Sequence, residues 1–167
     1  TVFKEKNTIT SGMSHGIAML FGGYGSQTIT DYTVDRFQAG TAGALGTSAT
    51  IYLGTPLPKA DYDNTLLQIE EHYYYDSTDA NNQSDSAQAF ALIPKTQRTM
   101  IGDHSVRFTL VLDAGTAVGS TITELGLFMK NPAGFSANTS MLVAYKFFTG
   151  IAKTANFSLT FRWTLNL

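Results

Sequence analysis

The chain contains no cysteine. Disulfides, thiolate metal sites and thiol nucleophiles are excluded, while the redox compartment stays open. Charge is scarce as well: Asp, Glu, Lys and Arg make up 14% of the 167 residues, against 43% hydrophobic ones. Such a chain has the apolar content to fold. Its length suits one domain, 1–167, burying roughly 70% of its unfolded surface. No basic block occurs and the net charge is −2, so no nucleic-acid partner held through its phosphates is expected. No apolar run approaches the roughly 18 residues of a membrane helix. The opening "TVFKEKNTIT" has no apolar segment of signal-peptide type, and no membrane partner is expected. A start at Thr1 suggests that an initiator Met has been removed. A chain stopping inside its last strand would leave any reaching arm to the N-terminus or a loop.

Catalytic and cofactor motifs are also missing. No serine sits in a G-x-S-x-G elbow. The glycine-rich "GTAGALGTS" lacks the G-K-[ST] ending that holds phosphate and magnesium, and it reads as a flexible loop. His15, His72 and His104 share no ligand spacing and read as surface histidines, with no metal site expected. "DYDN" at 61–64 and the acids of 76–85 offer oxygens to a cation, but neither fits a twelve-residue calcium loop, and solvated turns are the expectation. No cofactor is expected.

What is present is mostly strand. Residues 10–22, "TSGMSHGIAMLFG", carry the one helical pattern, with Met13, Ile17, Leu20 and Phe21 on one face. With the residues before it this forms an N-terminal arm and helix at about 1–23. "YTVDRFQAG" alternates as a strand, 39–50 is a loop of small residues, and "TIYLG" is a short strand. "TPLPKADYDN" is a loop, because its two prolines bar helix and central strand. "TLLQIEEHYYYD" is split between helix and strand signals. "AQAFALIPK" and "QRTMIG" are strand pieces interrupted at Pro94, and "NPAGFSANTS" turns the chain into "MLVAYKFFT". "SVRFTLVLD" alternates cleanly, as does "FSLTFRWTLNL", where Phe157, Leu159, Phe161, Trp163, Leu165 and Leu167 share a face. Several strands at this spacing predict an antiparallel β-sandwich with one short N-terminal α-helix.

Two features remain open on residues alone. In "TITELGLFMKN" Glu124 interrupts an apolar strand, sharing a face with Ile122, Gly126 and Phe128. It can be a catalytic acid, a metal ligand or an acceptor for backbone N–H groups. The aromatic run Tyr73-Tyr74-Tyr75 can stack on a sugar or on a partner, although alternation in a strand sends neighbours to opposite faces. Charge is uneven too. Residues 57–89 hold seven acids against Lys59, and 90–167 hold seven bases against three acids. Solvated surface explains this, with head-to-tail contact between subunits as the alternative.

The ending carries Ile122-Thr123-Glu124-Leu125-Gly126-Leu127-Phe128, then Leu142-Val143-Ala144, then Ile151 with Lys153, then Ser158-Leu159 and Trp163. This resembles the I-T-E-x-G-L-F … S-L-x-x-x-W ending of small structural proteins of tailed-bacteriophage virions. "NTIT" followed by Gly12 is similar to that group's opening, and "FQAGT" or "IYLGT" to its strand ending in Gly-Thr. The resemblance implies a non-enzymatic virion component of tail, baseplate, neck or fibre-attachment type. A capsid-decoration protein is the alternative, and a carbohydrate-binding module using Tyr73, Tyr74 and Tyr75 the alternative of another class. The implied partners are other virion proteins and further copies of the chain, in a homo-oligomer or symmetric array built through the loops at 39–50 and 76–88, with a host glycan as a further ligand. In this setting Glu124 is expected to be structural. Gly126 leaves room for a backbone to approach, Thr121 and Thr123 flank the carboxylate with hydroxyls, and Lys153 and Arg162 are the charged groups best placed to neighbour it. Trp163 is expected to be buried against the opposing sheet.

Overall fold

The computed structural model describes residues 8–23, 28–62, 66–130 and 138–167. The arm before Thr8, most of the turn expected at 131–140, and Asp63 and Asn64 of the acidic turn at 61–64 lie outside the described residues. The protein is mainly β, with one helix near the N-terminus. A short β1 (Thr8–Ile9) leads into α1 (Ser11–Gly22) and β2 (Val34–Gly40). Then come β3 (Ile69–Tyr74), β4 (Gln88–Leu92), β5 (Arg98–Met100), β6 (Ser105–Leu112), β7 (Thr121–Lys130), β8 (Thr139–Ala152) and β9 (Leu159–Asn166).

Two sheets form the sandwich. The larger runs β1-β8-β3-β4-β2-β7 and the smaller β5-β6-β9. Strand β8 also pairs with β7 along most of its length, so the large sheet curls until its hydrogen bonding closes on itself. The closing seam between β3 and β8 is parallel and only two residue pairs long, Tyr73↔Thr139 and Tyr74↔Ser140. The other pairings of both sheets are antiparallel.

Curling gives the large sheet two buried faces. Its outer face packs on the small sheet, where Phe37, Ala39, Leu125 and Leu127 meet Phe108, Leu110, Trp163 and Leu165. Its inner face encloses a smaller core of Leu53, Tyr74, Phe90, Phe128, Leu142 and Tyr145. Both halves of the alternation in β7 are therefore apolar, as expected of a strand covered on two sides.

Two expectations fail here. Of the predicted helix face, Met13 is buried, but Ile17, Leu20 and Phe21 are exposed, Phe21 by 83%. The helix instead lies down on Gly16, where an added Cβ would sit 2.7 Å from the Met129 sulfur. A glycine contact brings the helix close to the sheet and leaves the bulkier neighbours outside. The segment "TIYLG" forms no strand. It crosses the end of the curled sheet and inserts Leu53, 1% exposed, into the inner core.

Candidate functional site

The inner face carries polar groups from one end to the other, and they fall into three sets. At the end closed by 41–57, β7 points Glu124 inward with no solvent exposure. The N–H of Gly54 donates to Oε2 at 2.9 Å and that of Thr55 to Oε1 at 2.7 Å. The Tyr145 hydroxyl from β8 lies 2.9 Å from Oε2. Burial, together with the carboxylate beside it, pushes the Tyr145 pKa up, so this phenol keeps its proton. Gly40 stands opposite Glu124 in the β2–β7 register, and a Cβ there would run into the carboxylate and the Thr55 carbonyl. The space beside Gly126 is filled by a side chain rather than by an approaching backbone: an added Cβ would sit 2.6 Å from Leu53 Cδ1.

The charged neighbours expected for Glu124 are elsewhere. Lys153 is 1% exposed, and its ammonium donates to the carbonyls of Ala114 at 2.8 Å and Thr154 at 3.0 Å, fastening the 113–120 turn to the end of β8. Burial lowers its pKa and the Asp113 carboxylate opposes that shift. Arg162 is exposed on β9 of the small sheet, opposite Thr109. Thr123 Oγ1 is buried without a partner, so it does not serve the carboxylate either. Backbone N–H groups satisfy Glu124 without burying a second charge, which avoids the desolvation cost of a buried ion pair.

In the middle, Tyr74 donates to Gln38 Oε1 at 2.6 Å, and Gln38 Nε2 donates to the Ala89 carbonyl at 2.9 Å. The Tyr74 ring lies against Phe90 and Phe128, with centroids 5.7 and 5.8 Å away. Tyr75 points to the other side and stacks on His15 of α1 at 5.7 Å, and Tyr73 is half-buried. The three tyrosines therefore make no single platform, because strand alternation divides them and puts Tyr74 inside.

At the other end the curled sheet opens into a cleft of about 610 Å³. Its floor is Arg36 and His72, 4% and 6% exposed, and its rim carries Asp31, Asp35, Glu70 and Lys130. Arg36 Nη1 lies 2.8 Å from His72 Nδ1, and Arg36 Nε donates to Asp35 at 2.9 Å. His72 Nε2 lies 3.2 Å from Glu70 Oε2, and Ser140 Oγ lies 3.0 Å from Nδ1. Burial first, and then the Arg36 charge, hold the His72 pKa below its ordinary value, with Glu70, the Thr139 carbonyl and Asp35 acting in the opposite sense. Ser140, His72 and Glu70 have the order of a nucleophile, base and orienting acid. They lack its chemistry. A guanidinium is a permanent donor, so Arg36 occupies the lone pair that would take the serine proton, and Ser140 has no exposed surface for a substrate to reach.

His72 was expected on the surface and is the polar residue the sequence hides best. Its burial follows from a partner 36 positions away on a different strand, and the alternation around it was itself ambiguous. Two of the acids of 76–85 are used inside their own turn: Asp76 accepts from the N–H and hydroxyl of Thr78, which lowers its pKa, and Asp79 accepts from the Asn81 N–H. Among the described residues no three His, Asp or Glu side chains cluster at metal-binding distance. Comparison with models of known families, with curated proteins and with solved structures finds no match to this chain.

Proposed function

We propose that the protein is a non-enzymatic structural component of a tailed-phage particle, in a tail, baseplate, neck or fibre-attachment position, working through contacts with other virion proteins and with copies of itself. The observation that carries this reading is how Glu124 is used. It is the one acid of the I-T-E-x-G-L-F motif, and its two oxygens are taken up by two backbone N–H groups and a phenol. A carboxylate so enclosed fixes the 53–55 segment against the sheet and has no free face for a substrate. The exposed Ile17, Leu20 and Phe21 on α1 add support, since contiguous apolar surface is what an assembly contact uses.

Capsid decoration would use the same features, so it stays within this reading. A carbohydrate-binding module draws less support, because Tyr74 is enclosed and cannot stack on a sugar. Electron microscopy of an intact particle containing the protein tests the proposal. Several symmetry-related copies, with α1 against a neighbouring chain, are expected. A single unpartnered copy, or no copy in the particle, would overturn it. Binding on a glycan array by the isolated protein would move the assignment to the carbohydrate-binding alternative.

A further inference from the structure

The small sheet has an open side. Strand β9 is its edge, and among the described residues no other strand lies along the flank away from β6. The Leu167 N–H donates to the His104 carbonyl at 2.8 Å, extending a register in which Leu165 faces Val106 and Trp163 faces Phe108. In an antiparallel ladder, alternate residues exchange both backbone bonds with the partner strand. Leu159, Phe161, Trp163 and Leu165 are therefore the residues bonded to β6. The N–H and C=O groups of Thr160, Arg162, Thr164 and Asn166 point to the open flank.

Among the described residues this edge is blunted only by the exposed charge of Arg162. The β6–β9 register runs over eight consecutive pairs without a bulge, and β9 has no proline and no charge on its inner face. Proteins that avoid edge pairing carry such devices. Both ends of β9 also expose a large apolar side chain, Phe157 at 39% and Leu167 at 74%.

We propose that two copies of this chain pair antiparallel along the free edges of β9, joining their small sheets into one. A two-fold axis at Trp163 sets Arg162 opposite Thr164 of the second copy and Thr160 opposite its Asn166, so every outward N–H and C=O of these four residues finds a partner. Moving the axis to Arg162 would set the two guanidinium groups against each other. The same register lays Leu167 beside Leu159 and near Phe157 of the second copy, covering the apolar side chains exposed at the strand ends. The pairing involves none of the groups that carry the particle reading, so it stands or falls separately.

Sedimentation velocity on the purified chain is expected to give twice the mass of one 18.1 kDa copy. Thr164→Pro removes an outward N–H that β6 does not use, and should give a monomer with an unchanged far-UV spectrum. Should that variant misfold, a copy carrying Arg162→Cys is mixed with a copy carrying Thr164→Cys. The two cysteines face each other in this register, so the mixture should cross-link several-fold faster than either copy alone. A monomeric wild type, an oligomer that survives in folded Thr164→Pro, or no faster cross-linking in the mixture would each overturn the pairing.

Discussion

Glu124 illustrates how a buried carboxylate is kept without a counter-ion. Its charge is spread over three donors, two of them backbone groups of 53–55 whose own need for acceptors is met at the same time. Replacing one oxygen by an amide nitrogen turns an acceptor into a donor facing a donor. Glu124→Gln should therefore destabilise by about 1–3 kcal/mol, and Glu124→Ala by at least as much, since it leaves all three donors buried and unmet. Urea denaturation of the two variants measures this, and a Glu124→Gln midpoint equal to that of the wild type would contradict the pinning role. Part of this was legible. A lone acid in an apolar strand has to find acceptable partners, and the sequence alone identifies that need. Which donors meet it was not legible, because Gly54 and Thr55 lie about 70 positions away, on a segment that read as a strand. Gly126 carried a signal of close approach, but from sequence a glycine gap does not tell backbone from the Leu53 side chain.

Among the elements, β6 and β9 could be read because each is covered on one face only, so polar and apolar residues alternate without interruption. Strand β7 could be read by its length and apolar content. The pieces that misled are those whose role is set by what they cover. Residues 50–54 have β-prone side chains but end their local pattern in glycine, and they serve better as a plug carrying Leu53 than as a strand. The helix was placed correctly, but its buried face was misread, because glycine contributes nothing to an apolar pattern while allowing the closest approach. Two measurements follow at this scale. Trp163→Ala empties a site between the sheets and should cost about 3–5 kcal/mol, the usual range for deleting a large core aromatic. Phe21→Ser changes a side chain that already meets water, so stability should move by less than about 0.5 kcal/mol, while on the particle role proposed above its incorporation into particles should fall. A Phe21→Ser protein that assembles as well as the wild type would remove α1 from the assembly surface.

At the level of the whole molecule, the curled sheet is closed by a short pairing, the two-residue parallel seam between β3 and β8. His72 immediately precedes the seam on β3 and Ser140 belongs to it on β8. Arg36 reaches both from β2, within 2.8 Å of His72 Nδ1 and 3.3 Å of Ser140 Oγ. A proton on Nδ1 would point at a guanidinium that cannot give way as an acceptor, so protonation must break this triangle. The folded-state pKa of His72 lies below the ordinary value near 6.5, which fixes the sign of the pH effect. Above that value both states hold a neutral imidazole and the stability is fully present. As the pH falls through it, the unfolded chain takes up the proton first, and the folded protein loses stability until its own imidazole titrates. The melting temperature of the wild type should therefore drop between about pH 7 and pH 5. His72→Gln keeps an acceptor for Arg36 and removes the titration, so its curve should be flatter over that window. Amide exchange adds the location. The Tyr73 and Tyr75 N–H groups bond to the carbonyls of Asn138 and Ser140 across the seam, and their protection against global exchange should fall with pH in the wild type more than in His72→Gln. Equal pH slopes in the two proteins would show that the seam is held by its backbone bonds and by the cores on either side of it, with His72 as a passive filler.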